Sequence, residues 1–131
     1  MAVVPILSDD AAGASALAVF DDIRAKRQTD YVNNFWRALA TDSALLSATW
    51  DRLQAVMAPG TLDPLTKELI YIAVSVANGC GYCIHSHTAS ARARGMTDAQ
   101  HGEMMAVIAM ASQTNALATA LQIEPDDRFC V

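Results

Sequence analysis

The sequence predicts an all-α protein. Three observations carry that prediction. The apolar share of 53% leans on alanine and leucine, which are strong helix formers. Capping residues recur along the chain at helix-length intervals. No segment sustains the period-two alternation of a strand. With 131 residues, no internal repeat and no linker-like shift in composition, residues 1–131 read as a single domain.

Taken in order, Ser8-Asp9-Asp10 is a capping cluster ahead of a first helix that ends near Lys26 and turns Leu17, Phe20 and Ile23 inward. A short helical piece from Asn34 to Ala40 carries Phe35, Trp36 and Leu39. Thr41-Asp42-Ser43 caps a third helix with Leu46, Trp50, Leu53 and Met57 on one stripe, and Ala58-Pro59-Gly60 stops it. Asp63-Pro64 pairs a capping residue with proline at the first helical position. The helix it opens, Leu65 to about Asn78, is apolar nearly all round, the pattern of a central buried helix. Asn78-Gly79 ends it, and a cysteine motif opens the next helix, which runs to Gly95. Thr97-Asp98-Ala99-Gln100 is a capping-box pattern for a last long helix through Met104, Val107, Ile108 and Met110. Its methionines read as core filler. The tail after Gln122, with Pro125, reads as irregular.

Charge and composition exclude several classes. A net charge of −5 argues against a nucleic-acid partner, because phosphate neutralisation needs a basic stripe. The only dense basic stretch, Arg24-Ala25-Lys26-Arg27, reads as a solvated helix end. The N-terminal MAVVPILSDD lacks the basic segment and apolar run of a signal peptide. The longest apolar run, Leu69 to Ala77, is broken by Ser75 and too short for a bilayer span, so no membrane partner is expected. The expected address is cytoplasmic. Thiols are kept reduced there, so a close cysteine pair reads as catalytic or metal-binding before it reads as a structural staple. Cys130, the penultimate residue, reads as incidental.

That pair lies in CGYCIHSH, Cys80 to His87. On a helix beginning near Cys80, steps of three and four put Cys80, Cys83 and His87 on one face. His85 falls about 200° around from Cys83 and reads as solvent-facing. Both sulfurs sit in the first turn, where the helix dipole and unpaired amide groups favour a thiolate. An imidazole one turn on supplies a proton acceptor or a cationic partner.

Glu68 adds the next link. An unpaired carboxylate in a nearly apolar helix is costly to bury. If the helices fold back at Asn78-Gly79, Glu68 lies nearer His87 than either sulfur. The favoured arrangement is Glu68 bearing on His87 and His87 on Cys83. The plainer one has Glu68 pointing to water beside Lys67.

Rival chemistries fit less well. A c-type haem site needs histidine directly after the second cysteine, where Ile84 stands. A thioredoxin-fold site needs a βαβ pattern, which is absent. Zinc could draw on Cys80, Cys83 and His87 with Glu68 or His85, but a second, distant Cys/His pair is missing. A zinc-stabilised, non-enzymatic helical protein is therefore the weaker alternative, and neither metal nor cofactor is expected.

Glu68, eleven intervening residues, then Cys80-Gly81-Tyr82-Cys83 and His87 resembles the core motif of the alkylhydroperoxidase AhpD-like family, within the carboxymuconolactone decarboxylase superfamily. The stretches Leu62–Ile70 and Ala93–Thr97 are similar too, and the resemblance is strongest from Leu62 to Met110, looser around Asn34-Phe35-Trp36. It implies an AhpD-like helical bundle built around an antiparallel helix pair, assembled as dimers, trimers or hexamers. It implies a thiol-dependent hydroperoxide reductase, a peroxidase-type oxidoreductase. In that reading Cys83 is the peroxide-reacting thiol, Cys80 the resolving one, and Glu68 and His87 form the proton relay. The reductant implied is a dithiol on a lipoyl-bearing or thioredoxin-like protein.

One position departs from the pattern. Tyr82 stands where the best-known peroxidase members carry histidine, and tyrosine is a weak proton acceptor at neutral pH. That weakens the expectation of potent peroxidase activity and leaves disulfide exchange untouched. A thiol–disulfide oxidoreductase or redox sensor is thus the second reading. The apolar helix from Leu65 to Val76 also exceeds what one small domain covers, which points to a homo-oligomer.

Overall fold

Punctuation residues set the helix boundaries seen in the computed structural model, which describes residues 1–129. Cys130, and the reading of it as incidental, lies outside the described residues. Six α-helices follow one another: α1 (Ala14–Arg27), α2 (Asn34–Leu39), α3 (Ser43–Met57), α4 (Pro64–Ala77), α5 (Gly81–Ala93) and α6 (Asp98–Leu121). No strand occurs among the described residues, and the all-α expectation holds.

The start signals act much as the sequence implies. Asp42 accepts from the amides of Ala44 and Leu45, Asp63 from Thr66, and Thr97 and Gln100 close a full capping box. The Ser8-Asp9-Asp10 cluster differs. It forms a 3-10 turn over Asp9–Ala11, and α1 begins later, after Gly13, with no side-chain cap. Asp9 is drawn away from capping by two arginines, described below. The tail also holds a 3-10 turn, Asp127–Phe129.

The chain forms two compact units, Met1–Ala58 and Pro59 onward. In the first, α1 and α2 pack on α3. Its core gathers Phe20, Ile23, Val32, Trp36, Leu46 and Trp50, each large side chain contributing about 1.5–3 kcal/mol by burial. The rings of Trp36 and Trp50 meet edge to face, 5.2 Å apart. The basic stretch is the exposed end of α1, as expected, and it also makes specific contacts. Arg27 lies 5.2 Å from the Trp50 ring centroid, Lys26 pairs with Asp22 at 2.8 Å, and Asp22 also accepts from the Trp50 indole at 2.7 Å.

Arg24 and Arg37 converge on Asp9, at 2.6 and 2.9 Å, and Arg37 also donates to the Leu7 carbonyl at 2.8 Å. These bonds tie the segment before α1 to α2. In the second unit α5 and α6 pack on α4 around Ile72, Ala91 and Met96, with Leu65, Leu69, Val76, Met104 and Met105 at the margin. Coverage is incomplete: Ile70 and Val74 of α4 are about half exposed, at 49% and 54%. Met104 and Met105 are filler as expected, whereas Met110 is exposed. By length and composition α6 reaches the threshold for crossing a membrane, which the shorter run in α4 does not. That threshold is one of length and composition alone, and no residue of α6 is fully buried.

Hydrogen bonds from Arg24, then Arg37, hold the Asp9 carboxyl below its ordinary value of 3.8. A depressed folded-state value adds stability that is present above the ordinary value and lost as pH falls through the depressed one. Asp9→Asn is therefore expected to lower the denaturation midpoint at neutral pH. The gap from the parent protein closes as pH drops below about 4, and paired denaturant titrations across that range would measure it.

Candidate active site

The hairpin of α4 and α5 is fixed by its turn. Gly79 takes φ +68°, a left-handed conformation that glycine adopts without penalty. Its amide bonds to the Val76 carbonyl at 3.1 Å, and the Cys80 amide to that of Ser75 at 2.9 Å. This is the Schellman pattern of helix termination. Cys80 then acts at once as the N-cap of α5, its sulfur accepting from the Cys83 amide at 3.3 Å. One residue closes α4 and opens α5, so the expected placement of the cysteines at a helix start holds.

Cys80 and Cys83 are joined as a disulfide, with Cα atoms 5.4 Å apart. Both are half-buried, while Tyr82 between them is exposed. His85 faces solvent, as its angular position predicts.

Glu68 is buried, at 3% exposure, and does not point to water. Its Oε2 lies 2.7 Å from His87 Nδ1, and its Oε1 accepts from Arg94 Nε at 3.3 Å. A carboxylate that accepts at both oxygens assigns the ring proton to Nδ1, which leaves Nε2 as the acceptor of the neutral imidazole. The Tyr71 ring stacks on His87 with centroids 3.5 Å apart and planes 19° from parallel. Ser75, the other buried polar side chain, returns its hydroxyl to the Tyr71 carbonyl at 2.7 Å.

The structure thus brings together two pairs, Cys80 with Cys83 and Glu68 with His87. His87 follows Cys83 by one helical turn; among the described residues no hydrogen bond joins its ring to either sulfur in this disulfide form. No group of three or more His, Cys, Asp or Glu side chains gathers to hold a metal ion among the described residues.

Sequence reasoning missed Tyr71 and Arg94. Both had a periodicity signal: Tyr71 lies three residues after Glu68, and Arg94 seven after His87, each on the same helical face as its neighbour.

The family model of the carboxymuconolactone decarboxylase family matches residues 43–123. The chain belongs to that family. It is similar to an alkyl hydroperoxide reductase AhpD of Solibacter usitatus, 37% identical over 57% of this chain and 40% of the relative. An AhpD of Maricaulis maris is 40% identical over 56% of this chain and 40% of the relative. The chain spans about two fifths of the length of these curated relatives. A crystal structure of an alkylhydroperoxidase AhpD core from Rhodospirillum rubrum covers all of it, with 57% identity, a TM-score of 0.96 and 98% coverage of that chain. The likeness therefore extends over the first unit as well, and the AhpD-like helical fold is common to both chains.

Removing the carboxylate should strand two polar partners. Glu68→Ala is expected to cost about 2–3 kcal/mol, since hydrogen bonds to a charged group are lost and the half-buried imidazole loses its acceptor. Chemical denaturation of the reduced protein would measure that loss.

Proposed function

We propose that this chain is a thiol-dependent hydroperoxide reductase of the AhpD-like kind, with residues 1–131 acting as one such domain. The observation that carries the reading is the redox-competent pair Cys80–Cys83 at the start of α5, one turn before an imidazole held by a buried carboxylate. The named relatives support the substrate class.

In the proposed cycle, His87 Nε2 takes the proton of the Cys83 thiol. The thiolate attacks one oxygen of hydrogen peroxide or an organic hydroperoxide. An S–O bond forms, the O–O bond breaks, and sulfur is oxidised by two electrons to a sulfenic acid. The leaving oxygen is released as water or alcohol after receiving a proton, which His87 can return. Cys80 then attacks the sulfenic sulfur, forming the disulfide and releasing water. An external dithiol, on a lipoyl-bearing or thioredoxin-like protein, reduces the pair by exchange and is itself oxidised to a disulfide. Glu68 keeps the ring tautomer. The proposed compartment is the cytoplasm, where such reductants keep the pair cycling.

A second reading, a thiol–disulfide oxidoreductase or redox sensor, rests on one contact. The Cys83 amide donates to the Cys80 sulfur, which favours negative charge on Cys80 and would make it the attacking thiol. Exposed Tyr82, with its weak basicity, fits the same reading.

Titrating free thiols before and after stoichiometric hydroperoxide separates the two. The peroxidase reading expects loss of both motif thiols, reversed by a dithiol, and Cys83→Ser should cut turnover at least about a hundredfold. Retained turnover in that variant would reject Cys83 as the peroxide-reacting thiol. We also propose a homo-oligomer, a dimer, trimer or hexamer. Its support is the uncovered apolar surface of Ile70 and Val74 on α4 and of Val107, Met110, Leu117 and Leu121 on α6. Sedimentation at micromolar concentration should give a mass of at least two chains; a single-chain mass would refute it.

A further inference from the structure

We infer that Arg94 is a positioning residue for the Glu68–His87 pair, fixing the carboxylate so that Nδ1 of the ring keeps its proton and Nε2 stays an acceptor. The inference rests on the reading of His87 as the acceptor of the thiol proton.

Arg94 is the C-cap of α5, where a second Schellman turn follows: Gly95, at φ +94°, bonds to the Arg92 carbonyl at 3.0 Å and Met96 to that of Ala91 at 2.9 Å. Ala91 and Met96 are both buried, so the backbone carrying Arg94 is anchored in the core. The guanidinium is nevertheless partly solvated, its side chain 44% exposed, against 5% for Glu68. It delivers a fixed positive charge from the surface to the carboxylate that His87 meets at its other oxygen. Its neighbour Arg92 does not substitute for it. Arg92 turns the other way, to Asp98 at 2.6 Å and the Met96 carbonyl.

Geometry shows what the contact does. Without Arg94, Oε1 would lose its donor, and the carboxylate could swing out of line with the ring, weakening the hydrogen bond that favours the proton on Nδ1. That would loosen the assignment of the ring proton. Tyr71 stacks on the ring face, away from the Nδ1–carboxylate hydrogen bond.

The test uses the full-length, reduced protein as Arg94→Gln and Arg94→Lys variants, with two readouts. The first is the second-order rate of thiol loss to hydrogen peroxide. The second is the imidazole nitrogen NMR spectrum of histidine-labelled protein, which reports tautomer directly. We expect Arg94→Gln to react about tenfold more slowly and to show a mixed tautomer signal for His87. Arg94→Lys, which keeps the charge, should recover to within about threefold of the parent protein. Arg94→Met, which keeps the apolar stem, replaces Arg94→Gln if the latter folds poorly.

A parent-like His87 spectrum in the neutral variant, or a lysine variant as slow as the glutamine one, overturns the inference. If the parent protein itself spares hydrogen peroxide, the hydroperoxide reading fails. The NMR comparison still decides Arg94 in that case.

Discussion

The buried carboxylate of Glu68 is the constraint around which the second unit is arranged. Sited in an otherwise apolar helix, it needs donors at both oxygens. The chain supplies one from His87, part-way along α5, and one from Arg94 at its end. Satisfying both requires α5 to run back along α4 in one register. The Schellman turn at Gly79 sets that register, and the turn at Gly95 fixes the far end. With the hairpin so aligned, the half-exposed sulfurs lie at its tip and the imidazole lies inside it. The sulfurs and the enclosed ring are thus separated by one turn of the same helix.

Much of this was legible from residue order. The start signals at Asp42, Asp63 and Thr97 each produced a helix within a residue or two of its expected start. Cys80 opened α5, and Glu68 turned inward because solvation was the only alternative to pairing and the surrounding residues are apolar. Spacing alone also set His85 apart from His87. The failures were of a different kind. Asp9 is chemically suited to capping but is captured by Arg24 and Arg37, which are distant in sequence; local propensity carries no information on such long-range partners. The basic stretch around Lys26 is the exposed end of α1, as read, and only the reach of Arg24 to Asp9 was hidden in the sequence. Arg94 went unnoticed because a lone arginine near a helix end is usually a surface residue, and only the location of Glu68 gives it a task.

The second unit also shows how little of a 24-residue helix a small core can hold. No residue of α6 is fully buried, and its contacts with the rest of the unit come from the first half, through Met104 and Met105. Its hydrophobic residues are spread around the axis rather than gathered on a stripe. Such a helix suits a position between several neighbours rather than on one surface.

Cys80 has a further consequence through its double role. Its amide completes the end of one helix and its sulfur begins the next, so no slack chain separates the two. The 5.4 Å between the Cα atoms of the pair is at once an ordinary separation for bridged cysteines and the natural distance of residues three apart on a helix. Bond making and breaking at the sulfurs therefore demand only side-chain rotation. The backbone separation is one that a bridged or an open pair can occupy without moving either helix.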